Sequence, residues 1–462
     1  MSMNSTSEHI LQSGDYAYAP GPGGTAVIVR YGGTAGRVAV PALLDGRRVT
    51  GIGRMAFAGN AALASVTLPP GVTEVGDGAF FGCESLAAAA LPEGLARIGA
   101  SAFYGCARLV SVNLPKGLAE IGDSAFFGCE AFAALVLPEG LLRIGRYAFS
   151  WCVRLASLSL PEGLVSIGDG AFSGCADLHH LRLPTSVSDV GANPFMGAPT
   201  RPHAAADHPF LAVLDGVLLH RTEARVISYP HDSEAEDYAV PAGVRAVGRY
   251  AFHCCRSLIS VTLPHGVTHV GDSAFAGCRS LARVSLPEGV THIGDGAFAN
   301  CERLTEIALP DSVSEVGANP FMGSPTRIAL SPDHPHLGLM DGILFHRTHQ
   351  RLISYPYGAD GGECNVPPGI RDVGAEAFAG CAALSYVTLP AGLVSVGDRA
   401  FAGCWRLLSV LLPQGLLSIG DGAFAGCRNL TTCDIPSSVQ RVGVNAFAEC
   451  ALLPEAVTRK AG

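Results

Sequence analysis

Charge is scarce in this chain: Asp, Glu, Lys and Arg make up 15% of 462 residues, against roughly a quarter in ordinary domains. The formal net charge is −9, and no run of Lys or Arg forms a basic stripe. Displacing counterions from phosphate needs such a stripe, so nucleic acid is disfavoured as a partner. Long apolar runs are missing too. None approaches the ~20 residues that span a bilayer, so membrane insertion is not expected. Met1 to Ala19 has neither a basic start nor an apolar stretch of signal-peptide length. Leu453-Pro454-Glu455-Ala456 is followed by no hydrophobic tail that could serve as an anchor. Cys-x-x-Cys pairs, the usual mark of a structural zinc site, do not occur. With no visible export device, a cytoplasmic placement is expected.

What is present is apolar and repetitive. Hydrophobic residues make up 48% of the chain, which is ample for a core and argues against disorder. Single cores rarely grow past roughly 250–300 residues, a limit that repeat proteins escape because each unit is buried by its neighbours. A Phe preceded by Ala or Pro recurs every 23 residues at Phe57, Phe80, Phe103, Phe126, Phe149, Phe172 and Phe195. It resumes at Phe252, Phe275, Phe298 and Phe321, then at Phe378, Phe401, Phe424 and Phe447, making fifteen turns.

Each repeated position has a physical role. In the turn around Phe103, Leu109, Val112 and Leu114 alternate as a short strand with one buried face should. Pro115 follows, lacking an amide donor where the chain turns. Stacked in register, such runs form a parallel sheet with neighbours ~4.8 Å apart. Ile98-Gly99 predicts a second short extended piece on the opposite wall. Ala102-Phe103-x-Gly105-Cys106 predicts a tight helical turn with the ring in the core. Units such as Leu91-Pro-Glu-Gly-Leu-Ala-Arg-Ile-Gly and Ala102-Phe-Tyr-Gly-Cys-Ala-Arg-Leu resemble the BspA-type leucine-rich repeats of bacterial and protozoan surface proteins. The resemblance runs from about Val49 to Leu453. It implies a leucine-rich-repeat solenoid, mainly β with short helical turns, used in adhesion or protein binding. It also supplies the alternative location, at the cell surface or secreted.

The period breaks twice. Phe195 to Phe252 and Phe321 to Phe378 each span 57 residues, one period plus 34. Both breaks open with Gly-Ala-Asn-Pro-Phe-Met-Gly, at 191–197 and 317–323, and both carry two apolar runs that read as a β-hairpin. The expected organisation is an N-terminal β-rich cap over 1–48 and repeats over 49–199, 240–325 and 366–453. Hairpin insertions occupy 200–239 and 326–365, and a tail occupies 454–462. Because the insertions leave and rejoin the repeat in phase, they are expected to project from the solenoid. Excision of Thr200 to Ser233 should then leave it folded.

Few residues suggest chemistry. Twelve of the fifteen cysteines sit three positions after a repeat Phe, which predicts a column of small buried thiols. Gly51-x-Gly53-x-x-Ala56 only superficially matches a dinucleotide fingerprint, since it is the first repeat's own Ile-Gly and Ala-Phe. One Asp per turn (Asp77, Asp123, Asp169, Asp272, Asp295, Asp398, Asp421) supplies too few oxygens for calcium. His208 and His220, with copies His334 and His346, follow from duplication of the insertion. No catalytic residue, metal or cofactor is expected. The residues singled out for contact with a protein partner are Tyr229 and Tyr355 on the insertions, Trp151, Trp405, and His180, Arg182 and Tyr386 on the strand face. The expected function is a non-catalytic protein-binding scaffold. A structural or self-associating role is the alternative, the chain being a monomer open to end-to-end association.

Overall fold

The computed structural model describes residues 10–357 and 362–454. The chain divides into two compact units, Met1–Thr222 with Val226–Asp232, and Glu223–Arg225 with Ser233–Gly462. Within each unit a turn gives a strand of mostly three residues to one wall, here wall A, and one of mostly two residues to the opposite wall B. In the turn after Phe172, Leu178, Leu181 and Leu183 are buried while His180 and Arg182 between them face out. Pairing is parallel with the register offset by one repeat. On wall B, Ile98 lies beside Ile121 and Ile121 beside Ile144. Counting three tyrosines that stand in the Phe position (Tyr31, Tyr229 and Tyr355), the repeat makes about eighteen turns.

The repeat phenylalanines form stacked ladders inside the turns. In the first unit the ring centroids of Tyr31, Phe57, Phe80 and Phe103 follow one another at 4.9, 5.0 and 5.1 Å. These distances are set by the spacing of hydrogen-bonded strands. Burying each ring contributes about 1.5–3 kcal/mol, so the ladder is the spine of the core.

The Ala-Phe segment is not the expected helical turn. Among the described residues the only helical stretch is a 3-10 turn at Pro22–Gly24. Ser101 and Gly105 have φ of 53° and 69°, which no right-handed helix accommodates. The amides instead alternate. Ala102, Tyr104 and Cys106 donate to Gly99, Ser101 and Phe103 within the turn, whereas Ser101, Phe103 and Gly105 donate to Asp123, Ala125 and Phe127 of the next. Half of the amides are thus bonded between turns, and this third side of the prism is as tightly bonded as a sheet. Gly99 is required by proximity rather than by φ. A Cβ there would lie 2.7 Å from the Asp77 amide and 2.8 Å from the Gly76 carbonyl carbon.

The insertions do not project. Each first adds one more strand to wall A, Arg201–His203 beside His180–Arg182 and Arg327–Leu330 beside Glu306–Leu309. In the second unit Leu337–Met340, Ile343–His346 and Arg351–Ser354 then form an antiparallel meander. Its third strand pairs in parallel with Asp372–Val373 and so restarts wall B. The N-terminal cap has the same plan. Leu11–Ser13, Tyr16–Gly21 and Thr25–Tyr31 form an antiparallel meander whose third strand runs parallel to Arg47–Ile52. Tyr31 stacks on Phe57 at 4.9 Å and Tyr355 on Phe378 at 5.0 Å. The second insertion therefore opens a new block as the N-terminal cap opens the first. In the first unit, Leu211–Leu214 and Val217–His220 form the corresponding hairpin, with Leu211, Leu218 and Ile227 in the core.

Candidate functional site

The residues that carry chemistry are spent on joining turns. Each of the ten cysteines of the column that have a ladder Phe one turn earlier is paired with it. Cys106 Sγ donates to the Phe80 carbonyl at 3.2 Å, Cys278 to Phe252 at 2.9 Å and Cys404 to Phe378 at 3.0 Å. Where Ser324 takes this place, its hydroxyl donates to Phe298 at 2.7 Å. Apart from Ala198, the position carries a side chain with a donor in every turn that holds a ladder Phe, a property that burial alone does not explain. All fifteen thiols are free, and all but Cys254 are buried. Burial pushes Cys83 up to about 11, and Cys175 and Cys404 up to about 12. These thiols are inert as nucleophiles.

The aspartates have a similar task. Asp77 Oδ1 accepts the amide of Ala100 at 2.8 Å, and Asp295 that of Ala318 at 2.6 Å, each one turn on. The insertion histidines are buried and close the end of a block. His208 Nε2 donates to the Pro184 carbonyl at 2.9 Å while Nδ1 accepts the amides of Phe210 and Leu211. His346 Nε2 donates to the Ser314 carbonyl at 3.1 Å. In earlier turns that carbonyl position is filled by the next turn's amide, as Ser314 N fills Thr291 O at 3.0 Å. The ring N–H stands in for a backbone donor that the insertion has displaced. Among the described residues no three His, Cys, Asp or Glu side chains converge as a metal site.

The aromatic residues singled out from sequence fall into two groups. Tyr229 and Tyr355 are 5% and 8% exposed, so they are not surface anchors. Tyr355 occupies the Phe position and serves the ladder, and Tyr229 lies one period before Phe252 in the same phase. The others are on the surface. Trp151 is 56% exposed, with its ring against Gly174, where even a Cβ would come within 3.2 Å. Trp405 is exposed beside the Arg406 guanidinium, and Tyr386 is exposed on wall A. His180 stacks on His203 at 5.6 Å, and Arg182 pairs with Glu162 at 2.9 Å.

Sequence reasoning missed the neighbours of Trp151. Phe81, Tyr104 and Phe127 follow three successive ladder rings and form a second stack on the outside of the turn face. Their centroids are 4.8 and 4.6 Å apart and their planes within 11°. On the next turn Ser150 takes this row's place, and Tyr147 and Trp151 stand on either side of it, with Tyr147 lying against Gly170. The result is an aromatic ridge over four turns of the first unit, interrupted in its own row at Ser150. The doublets Phe80-Phe81, Phe103-Tyr104 and Phe126-Phe127, each 23 apart, were the available signal. Attention to what breaks the repeat passes over a feature that keeps its period.

No helix among the described residues is long and apolar enough to cross a membrane. No curated protein matches the sequence. Among solved structures, the chain is similar to a leucine rich cell surface protein from Faecalibacterium prausnitzii. The identity is 24%, the TM-score 0.60, and the match covers 88% of this chain and 95% of that one. It is also similar to the pneumococcal vaccine antigen PcpA, at 20% identity and TM-score 0.52 over 94% and 93% of the two chains. A T. pallidum leucine-rich repeat protein is 34% identical over 41% of this chain and 88% of its own, with TM-score 0.38. The family model for the BspA type leucine rich repeat region matches in six copies, over residues 46–133, 73–200, 231–329 and 360–459. That is most of the sequence, in agreement with the solenoid turns. The chain belongs to the BspA-type leucine-rich repeat family.

Proposed function

We propose that this protein is a non-catalytic scaffold that binds a partner protein through the aromatic ridge of its first unit. The observation that carries this is the outer stack Phe81–Tyr104–Phe127, with Tyr147 and Trp151 on the turn that follows. Aromatic side chains in a contiguous patch dominate binding energy at protein interfaces, because they bury large areas at little entropic cost. The stack is also held rigid by the turn spacing, so little further ordering is needed on binding. The conversion of its cysteines, aspartates and insertion histidines into inter-turn bonds supports a scaffold over an enzyme. The Faecalibacterium relative, described as a cell surface protein, supports the surface alternative for location and with it an adhesive role.

The test is quantitative capture by immobilised wild type, a Tyr104→Ser/Trp151→Ser variant and a Trp405→Ser control from surface and lysate fractions. The expected result is a saturable partner held by wild type and the control and lost from the double variant. Equal capture by all three would move the site off the ridge. No saturable partner from either fraction would remove the scaffold reading.

A further inference from the structure

Wall A of the first unit is split. It runs without a break from Arg37–Ala39 through Ser65–Thr67 and Ala88–Ala90 to Ser111–Asn113, then starts afresh at Ala134–Val136. Wall B is paired straight past this point, through Arg97–Ile98, Glu120–Ile121 and Arg143–Ile144. The two turns are therefore joined behind and parted in front. Between them lies a cleft of about 540 Å³.

The side chains at the gap differ from those of the neighbouring turns. Phe132 takes the position that is Leu in the neighbouring turns (Leu86, Leu109, Leu155), and its ring lies 5.7 Å from that of Phe126, tilted by 59°. The larger ring lines the cleft. Asn113 turns the other way, its amide accepting from Leu91 N at 2.7 Å and donating to Leu91 O at 2.8 Å.

Both lips are left as strand edges. In the flanking pairs the carbonyls of Ala64, Ala87 and Ala133 accept the amides of Ala87, Val110 and Ala156 at 2.8, 3.0 and 2.9 Å. Among the described residues the equivalent bond to the Val110 carbonyl is not formed. Val110 and Val136 flank the gap at 60% and 78% exposure. An unpaired edge is a template for another strand, and here two edges face each other across one opening.

We propose that this cleft accepts one extended, uncharged peptide segment of a partner protein, inserted as an extra strand of wall A. Such a segment satisfies backbone donors and acceptors on both lips at once, which is the recognition mode of β-strand addition. Its side chains alternate between Phe132 with the core edge on one face and Val110 and Val136 on the other, so β-branched and apolar residues fit best. No other ligand chemistry matches two rows of strand backbone. The site is separate from the aromatic ridge and stands whether or not the ridge binds.

A peptide copying this chain's own wall A strand, Leu155 to Leu160, labelled with fluorescein, serves as probe in anisotropy titrations with the full chain. The expected result is saturable binding that a scrambled, proline-containing peptide does not show. Val110→Lys/Val136→Lys, which alters only exposed side chains, should weaken binding at least tenfold, and Phe132→Leu should do the same by removing the ring that lines the cleft. Hydrogen exchange should show the cleft-facing amides among 111–113 and 134–136 slowing when peptide is added, whereas Ser111 already donates to the Ala87 carbonyl. No saturable binding, or binding unchanged in both variants, overturns the proposal. So does finding those amides fully protected in the free protein, since the lips would then already be paired.

Discussion

The first block of turns and the last are written in the same repeat and do not pack alike. From Tyr31 to Phe195 the ladder opens steadily, from 4.9 Å at its start through 5.5 Å between Phe126 and Phe149 to 6.0 Å at its end. From Tyr355 to Phe447 it stays between 4.7 and 5.1 Å. Wall A differs too. It is broken twice in the first block, whereas Glu363–Asn365, Tyr386–Thr388 and Ser409–Leu411 of the last remain one sheet. No turns whose rings lie within 5.1 Å are parted on wall A, and each break falls at 5.2 Å or more. Wide spacing alone does not part the wall, since the turns of Phe126 and Phe149 at 5.5 Å and of Phe172 and Phe195 at 6.0 Å stay paired there.

The turn faces differ as well. Where the first block carries Phe81, Tyr104 and Phe127, the last has Ala379, Ala402 and Ala425. The last block shows a shallow depression there and the first a ridge. A solenoid can thus vary its outer rows freely, because the inner rows hold the fold.

The comparison breaks most severely if a block opener is removed. Deleting Thr200 to Ser233 restores the 23-residue spacing but takes away Leu211, Leu218 and Ile227, all fully buried, together with His208 and His220. The product is expected to aggregate or lose its cooperative thermal transition. Circular dichroism and size-exclusion chromatography check this, and a soluble, cooperatively folded deletion would show that the insertion is dispensable after all.

Ladder substitutions sharpen the comparison. Phe126→Ala and Phe401→Ala should each cost about 3–5 kcal/mol in lost burial and residual cavity. Phe401 should lie at the upper end, since its neighbours are at 4.7 and 5.1 Å where those of Phe126 are at 5.2 and 5.5 Å. Urea unfolding measures both, and the reverse order would mean that ring spacing does not report packing strength.

Smaller effects are expected at the thiol that bridges turns. Cys404→Ala removes the donor to Phe378 and should cost about 1 kcal/mol. Cys404→Ser should cost less, because Ser324 shows a hydroxyl making the same bond. In the native protein a thiol reagent should label Cys254 first, since it alone is not fully buried, and denaturant should release the remainder.

The smallest effect is electrostatic. His269 and His292 stack at 4.3 Å on wall B, and burial, with the neighbouring His292 charge second, holds His269 below its ordinary value of 6.5. The unfolded chain takes up a proton there at a higher pH than the folded one. Stability contributed by neutral His269 is therefore present above about pH 6.5 and declines as pH falls toward the lower folded value. Thermal melts between pH 7.5 and 5.5 should show this decline, and His292→Asn should reduce it. An unchanged slope in that variant would remove the pair as its source.

Much of this was legible from residue order. The 23-residue spacing, the alternating Leu and Val positions and the Ala-Phe pairs determined a stacked solenoid, because a strictly periodic apolar pattern can be buried only by copies of itself. The buried cysteine column followed from the same logic. Tyr355 could have been placed too, since it precedes Phe378 by one period, but an insertion invites reading as an excursion and its tyrosine as a surface residue. Only the tertiary structure decided that the second insertion restarts wall B, that the insertion histidines replace absent amides, and that the turns fan open in one block and not in another. The physical reason is that periodicity determines which residues face inward, while the distance between turns is a sum of small steric differences. Phe132 in a leucine position, its ring tilted by 59° against Phe126, is such a difference, and it bears on a neighbour only once that turn is in place.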